Sequence, residues 1–136
     1  MNKTMTFAVI REANVARLPR FKNRLGKPAH SEPDGSDWAL STWSNAVLGE
    51  LGEAANLIKK IERGDITLDA ARGDLAKEFA DVLTYLDILA FRAGVDLGQA
   101  VVDKFNEVSE RVGAGVLILE PAFGDREVVV VKDDAK

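Results

Sequence analysis

The chain has 136 residues, enough for one domain with its own hydrophobic core and too few for two domains of ordinary size. Hydrophobic residues make up 46% of the sequence and charged residues 29%, a balance typical of a folded protein rather than a disordered chain. The net charge of −4 argues against a general nucleic-acid binder, and the absence of cysteine excludes disulfides, thiolate nucleophiles and Cys-based zinc sites.

The sequence gives no indication of a membrane or secretory protein. Its apolar runs all fall short of the ~20 residues that a bilayer-spanning helix needs. Residues 1–6 are mostly polar and do not resemble the apolar segment of a signal peptide. We therefore expect a soluble, cytoplasmic protein with no membrane partner.

The first predicted helix runs from about Thr4 to Leu18. Pro19 ends it, because the residue before a proline is disfavoured in the α conformation. The apolar residues at helical spacing are Phe7, Ile10, Ala13 and Leu18. Residues 20–36 contain two prolines and two glycines among several charges, a composition that indicates a loop.

A second helix is predicted to begin at Ser36 or Asp37, both good N-cap residues, and to end near Arg63, before Gly64. Its apolar stripe consists of Leu40, Trp43, Val47, Leu51, Ala54, Ile58 and Ile61. At about 100° per residue, Glu50 falls within this stripe and Glu53 on its shoulder. The two carboxylates are therefore not on the solvated face.

A third helix is predicted from about Thr67 to just before Gly94. Its apolar stripe consists of Leu75, Phe79, Val82, Leu86, Leu89 and Ala93. Glu78 lies at the edge of this stripe, and Asp81 and Tyr85 lie further round on the same flank. The second and third helices thus share one design, an apolar face with acidic groups along one margin.

The remaining sequence predicts a fourth helix and two short strands. Asp96 caps the helix, which ends near Gly113, and its apolar residues are Leu97, Val101, Phe105, Val108 and Val112. The runs 116–119 and 128–131 are rich in β-branched residues and indicate a C-terminal β-hairpin. Residues 132–136 are expected to form a frayed end.

Together these elements predict an all-α fold, an antiparallel four-helix bundle with a short C-terminal hairpin, within a single domain spanning 1–136. The apolar faces are broad for so small a unit. We therefore expect the chain to form a homodimer or a dimer of dimers.

Two acidic pairs carry the functional hypothesis: Glu50 with Glu53, and Glu78 with Asp81. An (i, i+3) spacing places both carboxylates of a pair on one side of a helix, roughly 5–6 Å apart at Cβ. A single such pair is usually only a solvated acidic patch. Two pairs on the margins of consecutive apolar stripes, separated by 24 residues, favour a metal site instead.

The missing residue types narrow the choice of metal. A di-iron carboxylate bundle requires Glu-x-x-His motifs, and the sole histidine, His30, lies in the loop. Zinc hydrolases also use nitrogen ligands. A site made only of carboxylate oxygens indicates Mg²⁺, with Mn²⁺ as the alternative.

The order and spacing of the acidic pairs resemble the signature of the MazG-like, all-α nucleoside triphosphate pyrophosphohydrolases. The resemblance covers residues 38–113, and residues 116–136 form an extension beyond it. Four segments carry the resemblance: Trp38-Ala-Leu-Ser-Thr-Trp43, Gly49-Glu50-Leu-Gly-Glu53-Ala-Ala-Asn56-Leu-Ile-Lys59-Lys60, Asp81-Val-Leu-Thr-Tyr85-Leu-Asp87 and Lys104-Phe-Asn106-Glu-Val-Ser-Glu-Arg111. It implies hydrolysis of a nucleoside triphosphate to the monophosphate and pyrophosphate, in nucleotide-pool sanitation or regulation.

In such an enzyme the four carboxylates would hold Mg²⁺, and either Glu50 or Glu53 would also accept a proton from the attacking water. Candidate substrate contacts are Trp43, Lys60, Tyr85, Lys104, Asn106 and His30. Several have ordinary structural alternatives: Trp43 as core packing, Lys60 as a helix-end cation and His30 as a solvent-exposed side chain. Asn106 points away from Lys104 on its helix.

Two other hypotheses stay open at this point. One is a narrower dUTP or dCTP pyrophosphatase of the same superfamily, which would differ in its base and sugar contacts. The other is a non-catalytic helical dimer that binds a nucleotide or a protein partner and uses the acidic pairs only for metal.

Overall fold

A computed structural model describes residues 5–27, 29, 32 and 34–119, together with the backbone of 128–131. This part of the chain is mostly helical, as the sequence predicts. Its elements are α1 (Phe7–Arg17), a 3₁₀ turn (Leu18–Arg20), α2 (Leu40–Glu62), α3 (Leu68–Arg92), α4 (Leu97–Arg111), β1 (Val116–Leu119) and β2 (Val128–Val131). His30 and the C-terminal residues 132–136 lie outside the described residues. The chain divides into two compact units, with the boundary between Val95 and Asp96.

The helix starts follow from their capping side chains. The hydroxyls of Thr6 and Thr67 each accept a hydrogen bond, both 3.2 Å long, from a backbone N–H in the first turn of α1 and α3. Asp96 caps α4 in the same way, through the N–H of Gln99 at 3.0 Å. Thr67 and Asp96 are the starts predicted from the sequence. Pro19 lies in the 3₁₀ turn that follows α1.

The predicted start of α2 is wrong by several residues. Ser36 donates its backbone N–H to the Asp34 carboxylate at 2.9 Å and belongs to a turn rather than to the helix. The carbonyl of Gly35, whose φ is +70°, accepts a 3.0 Å hydrogen bond from the indole of Trp43. This bond holds the segment against α2 as a turn, so the helix begins only at Leu40.

In the first unit, α2 and α3 are joined by residues 63–67 and pack against each other as a helical hairpin. The core beside them contains Leu18, Trp43 and Ile88, with Tyr85 partly buried against it. Several residues of the apolar stripes are exposed to solvent in the single chain. Leu51 and Phe79, for example, are 49% and 52% exposed. The hairpin therefore has more apolar surface than the chain itself covers.

Helix α1 packs on α3 through a buried polar network. Asp87 is 1% exposed, and its carboxylate accepts hydrogen bonds from Arg11 Nε at 3.0 and 3.2 Å and from Asn14 Nδ2 at 3.0 Å. Arg11 also lies over the ring of Phe91, 5.0 Å from its centroid. The buried charge is thus neutralised and hydrogen-bonded, as a buried carboxylate requires.

In the second unit, α4 packs against β1, which pairs antiparallel with β2. The register places Val116 opposite Val131 and Leu119 opposite Val128. Both predicted strands are confirmed at the residues expected. None of the helices that the structure describes has the length and apolar character needed to cross a bilayer.

Candidate metal and nucleotide site

Three of the four predicted carboxylates come together in the α2–α3 hairpin. Glu50 reaches the group from α2, and Glu78 and Asp81 come from α3, where their (i, i+3) spacing puts them side by side. One carboxylate oxygen from each residue lies within 4.8 Å of the other two. Glu50 and Glu78 are partly buried and Asp81 is exposed, so the group opens to solvent.

The three carboxylates of this group have no ion-pair partner within the part of the chain that the structure describes. Burial raises the pKa of Glu50, and the negative charges of Asp81, Glu53 and Glu78 raise it further. A set of close oxygen donors with unbalanced negative charge fits a hard divalent cation such as Mg²⁺.

Glu53 lies outside this three-residue group and is exposed. It borders a groove of about 400 Å³ that also reaches the group, because Glu78 lines both. The remaining lining residues are Asn56, Leu57, Lys60 and Asp74. The structure thus brings Glu53 and Lys60 to one side of the carboxylate group, beside an opening large enough for a ligand.

Tyr85 belongs to the same neighbourhood. Burial raises the pKa of its hydroxyl, and the charges of Glu50 and Asp81 raise it further, while Arg17 acts in the opposite direction. The ring packs toward Trp43, with 6.3 Å between the ring centroids. Tyr85 therefore connects the hydrophobic core to the carboxylate group, as expected from its position one turn after Asp81.

Trp43, a candidate for stacking on a base, is in the core instead. It is 0% exposed, its ring lies 4.6 Å from that of Trp38, and its N–H is bonded to the Gly35 carbonyl. A ring with no exposed surface has no free face for a nucleobase. The structural alternative, packing, describes its position in this chain.

Asn106 and Lys104 lie in the second unit. The Asn106 amide donates to the Ile118 carbonyl and accepts from the Ile118 N–H, both at 2.8 Å. Its two polar groups therefore join α4 to β1, a structural role that the sequence does not predict. Lys104 pairs with Glu107 at 2.5 Å, and both side chains are about 60% exposed.

The ion pair between Arg11 and Asp87 is not predicted from the sequence, although the sequence contains one indication of it. Asp87 is the single charged residue in the apolar run 86–91, which suggests a buried and partnered carboxylate. Its partner lies 76 positions earlier in the chain, and no local pattern could identify it. Asn56 was also not proposed as a site residue, although it lines the groove.

Comparison with known proteins gives one informative similarity. No family model matches the chain, and no solved structure matches it. The Gene 37 protein of Mycobacterium phage L5 is 32% identical over 80 residues, which cover 57% of this chain and 70% of the phage protein. On this identity and coverage, the chain belongs to the same family as that phage protein.

Proposed function

We propose that the protein is a Mg²⁺-dependent nucleoside triphosphate pyrophosphohydrolase that converts a (d)NTP and water to the (d)NMP and pyrophosphate. The observation that carries the proposal is the close group of Glu50, Glu78 and Asp81, with which no lysine or arginine among the described residues forms an ion pair. The resemblance of residues 38–113 to MazG-like enzymes supplies the reaction.

Glu50, Glu78 and Asp81 are the residues that would hold the metal. A bound Mg²⁺ would neutralise charge on the phosphate oxygens and act as a Lewis acid. Mn²⁺ has similar ligand preferences and is the alternative ion. Both helices of the hairpin contribute, so the geometry of the site depends on α2 and α3 packing correctly.

Glu53 is the better candidate for the proton acceptor. It lies one turn after Glu50 on α2 but outside the three-residue group, so a carboxylate oxygen stays free for a water molecule. In the proposed step, the water oxygen forms a bond to the α-phosphorus, Glu53 takes the water proton, and the α–β anhydride bond breaks. Pyrophosphate leaves, and the nucleoside monophosphate remains.

The groove beside Glu53 supports placing part of the substrate there. Lys60 would contact phosphate oxygens as a mobile point charge, and the Asn56 amide offers both a donor and an acceptor. Tyr85 lies within the electrostatic influence of Glu50 and Asp81 and offers a hydroxyl donor. These contacts reach the phosphates, which all nucleotides share, and leave the preferred base and sugar undefined.

The experiment that tests the proposal is a panel of canonical and modified (d)NTPs with Mg²⁺, scored separately for pyrophosphate and orthophosphate. We expect pyrophosphate and the monophosphate in equal amounts, and no release in EDTA. Release of orthophosphate alone would contradict cleavage at the α–β bond. Metal-dependent binding without turnover of any nucleotide would favour the non-catalytic binding protein.

The four-helix bundle and the homodimer or dimer of dimers are part of the same proposal. Exposed apolar side chains on the hairpin, including Leu48 and Phe79 at 61% and 52% exposure, support self-association. Size-exclusion chromatography with light scattering measures the assembly directly. A monomer at all concentrations would contradict this part and leave the chemistry to be tested separately.

A further inference from the structure

Residues 17–27 form a strongly basic segment at the end of α1. The stretch from residue 13 to residue 31 contains no acidic residue, although the chain as a whole carries a net charge of −4. The cations of the segment are Arg17, Arg20, Lys22, Arg24 and Lys27, all of them exposed. In the part of the chain that the structure describes, none of the five forms an ion pair with a carboxylate.

The segment is an ordered turn. Asn23 is at its centre: its side-chain oxygen accepts from the N–H groups of Leu25 and Lys27 at 2.9 and 3.1 Å, and its own N–H donates to the Lys27 carbonyl at 2.7 Å. Gly26, with φ +73°, allows the chain to reverse. The positive charges are therefore held on a defined backbone close to the end of α1.

The contacts between α1 and α3 fix where this turn begins. Arg11 pairs with Asp87, and Asn14, one turn later on α1, reaches back to the Thr84 carbonyl at 3.3 Å. The two helices therefore run in opposite directions. Continuing this register by one turn brings Arg17, the last residue of α1, toward the turn of α3 between Asp81 and Tyr85. The next residue, Leu18, belongs to the core cluster against which Tyr85 packs.

Arg17 and two members of the carboxylate group, Glu50 and Asp81, all lie near enough to Tyr85 to act on its hydroxyl. Tyr85 lies one helical turn from Asp81, and its hydroxyl experiences the positive charge of Arg17 as well as the negative charges of Glu50 and Asp81. Among the described residues, Arg17 makes a long hydrogen bond of 3.5 Å to Asn14 Oδ1, lies 5.5 Å from the centroid of the Phe21 ring and forms no ion pair. Its planar donor fork is thus available to an anion.

We propose that Arg17 binds the phosphate chain of a nucleotide held at the carboxylate group, which makes it a substrate-binding residue beyond those identified from the sequence. The inference rests on the proposed function, because it needs a polyphosphate ligand at that group. An arginine fork matches phosphate oxygens with two parallel hydrogen bonds. The other cations of the turn follow Arg17 closely along the chain and add positive charge next to it, in a chain whose net charge is −4.

The test compares Arg17→Gln with Arg72→Gln by calorimetric titration of inorganic tripolyphosphate in Mg²⁺. Arg72 is a matched control because it is also an exposed arginine, but it is already paired with Asp69 at 2.6 Å. We expect Arg17→Gln to weaken binding by about tenfold or more, and Arg72→Gln by less than about twofold. Arg17→Lys, which keeps the charge and loses the fork, should fall between them.

The hydrolysis assay separates this inference from the proposed function. For an active enzyme we expect Arg17→Gln to raise KM with a smaller change in kcat. Equal binding by wild type and Arg17→Gln, or no tripolyphosphate binding by wild type, would overturn the role of Arg17. If wild type binds tripolyphosphate but releases no pyrophosphate from any nucleotide, the proposed reaction fails while the binding comparison still decides the role of Arg17.

Discussion

Helix α3 carries carboxylates in two contrasting environments. Near its C-terminal end, Asp87 is 1% exposed and its carboxylate is bonded to Arg11 and Asn14. Six residues earlier, Asp81 is close to Glu50 and Glu78, with no ion-paired lysine or arginine among the described residues. The same residue type is thus neutralised by the fold in one place and left unbalanced in the other.

The difference indicates that the charge of Asp87 stabilises the fold, whereas the charge of the carboxylate group around Asp81 is available to bind a ligand. A buried carboxylate with a matched guanidinium ties two helices together and has no free capacity for a ligand. In a group of close carboxylates without such a partner, mutual repulsion raises the free energy of the metal-free folded chain. Binding of a cation to the group lowers that free energy. The two regions should therefore respond in opposite ways to removal of charge.

The largest expected effect is a loss of stability when the ion pair between Arg11 and Asp87 is broken. Arg11→Ala removes the ion pair and leaves Asp87 buried without its guanidinium, so we expect the free energy of unfolding to fall by about 3–5 kcal/mol. Urea denaturation measures the change. Mg²⁺ should not restore the lost stability, because Asp87 is not a member of the carboxylate group that would bind the ion.

The matched control for this substitution is Arg63→Ala. Arg63 pairs with Asp65 at 2.6 Å, but both side chains are at least half exposed. We expect a loss of no more than about 1 kcal/mol for such a surface pair. A similar loss of unfolding free energy for the two variants would mean that burial of Asp87 does not determine the strength of its ion pair with Arg11.

The second effect is a loss of catalytic activity when a charge is removed from the carboxylate group. Asp81→Asn removes one charge from the proposed metal site, and we expect pyrophosphate release to fall on the order of 100-fold, equivalent to about 2.7 kcal/mol of activation free energy. The folded state should persist, because Asp81 is exposed. Steady-state kinetics at saturating Mg²⁺ measures the change.

Asp69→Asn is the control for that measurement. Asp69 is also an exposed aspartate of α3, and its partner is Arg72 rather than another carboxylate. Its substitution should leave turnover within about twofold of wild type. Full activity of Asp81→Asn would remove Asp81 from the set of metal ligands.

Local sequence patterns account for most of the helices and for the placement of the acidic pairs. Thr67 and Asp96 cap helices where predicted, and the (i, i+3) spacing of Glu78 and Asp81 does put them together. Periodicity gives the face of each helix but not the rotation and offset between two helices. It therefore could not show that Glu50 joins Glu78 and Asp81 while Glu53 faces the groove.

Hydrogen bonds between a helix and the chain outside it are the hardest features to predict from the sequence. The start of α2 depends on the bond from Trp43 to Gly35, which competes with capping by Ser36 or Asp37. Asn106 has no obvious partner in the sequence, because its partner is the backbone of a strand that follows the helix. Such polar ties are set by tertiary structure, and a single sequence does not reveal them.

The third effect is local to the second unit. Asn106→Ala leaves the N–H and carbonyl of Ile118 without their side-chain partner, and we expect a loss of about 1 kcal/mol because these bonds are only partly buried. Hydrogen exchange should accelerate at the Ile118 amide. Gln99→Ala, which removes an exposed amide bond to Asp103 from the same helix, should leave that exchange rate unchanged. An unaffected rate in Asn106→Ala would contradict the anchoring role.

The smallest expected effect is a gain of stability at Glu50. Burial and the neighbouring carboxylates raise the pKa of Glu50 in the folded chain above its unfolded value. Ionised Glu50 therefore destabilises the metal-free fold above that raised pKa, and protonation removes the penalty as the pH falls through it. Glu50→Gln should imitate the protonated form at every pH.

In EDTA at neutral pH, we accordingly expect Glu50→Gln to melt at a slightly higher temperature than wild type, with the difference shrinking toward acidic pH. Mg²⁺ should reverse the order, because it stabilises wild type through a ligand that the variant lacks. Thermal denaturation with and without Mg²⁺ measures both the stability difference in EDTA and the stabilisation by Mg²⁺ on the same samples. A variant less stable than wild type in EDTA would mean that Glu50 is stabilised within the fold, as Asp87 is, and the contrast between the two parts of α3 would no longer hold.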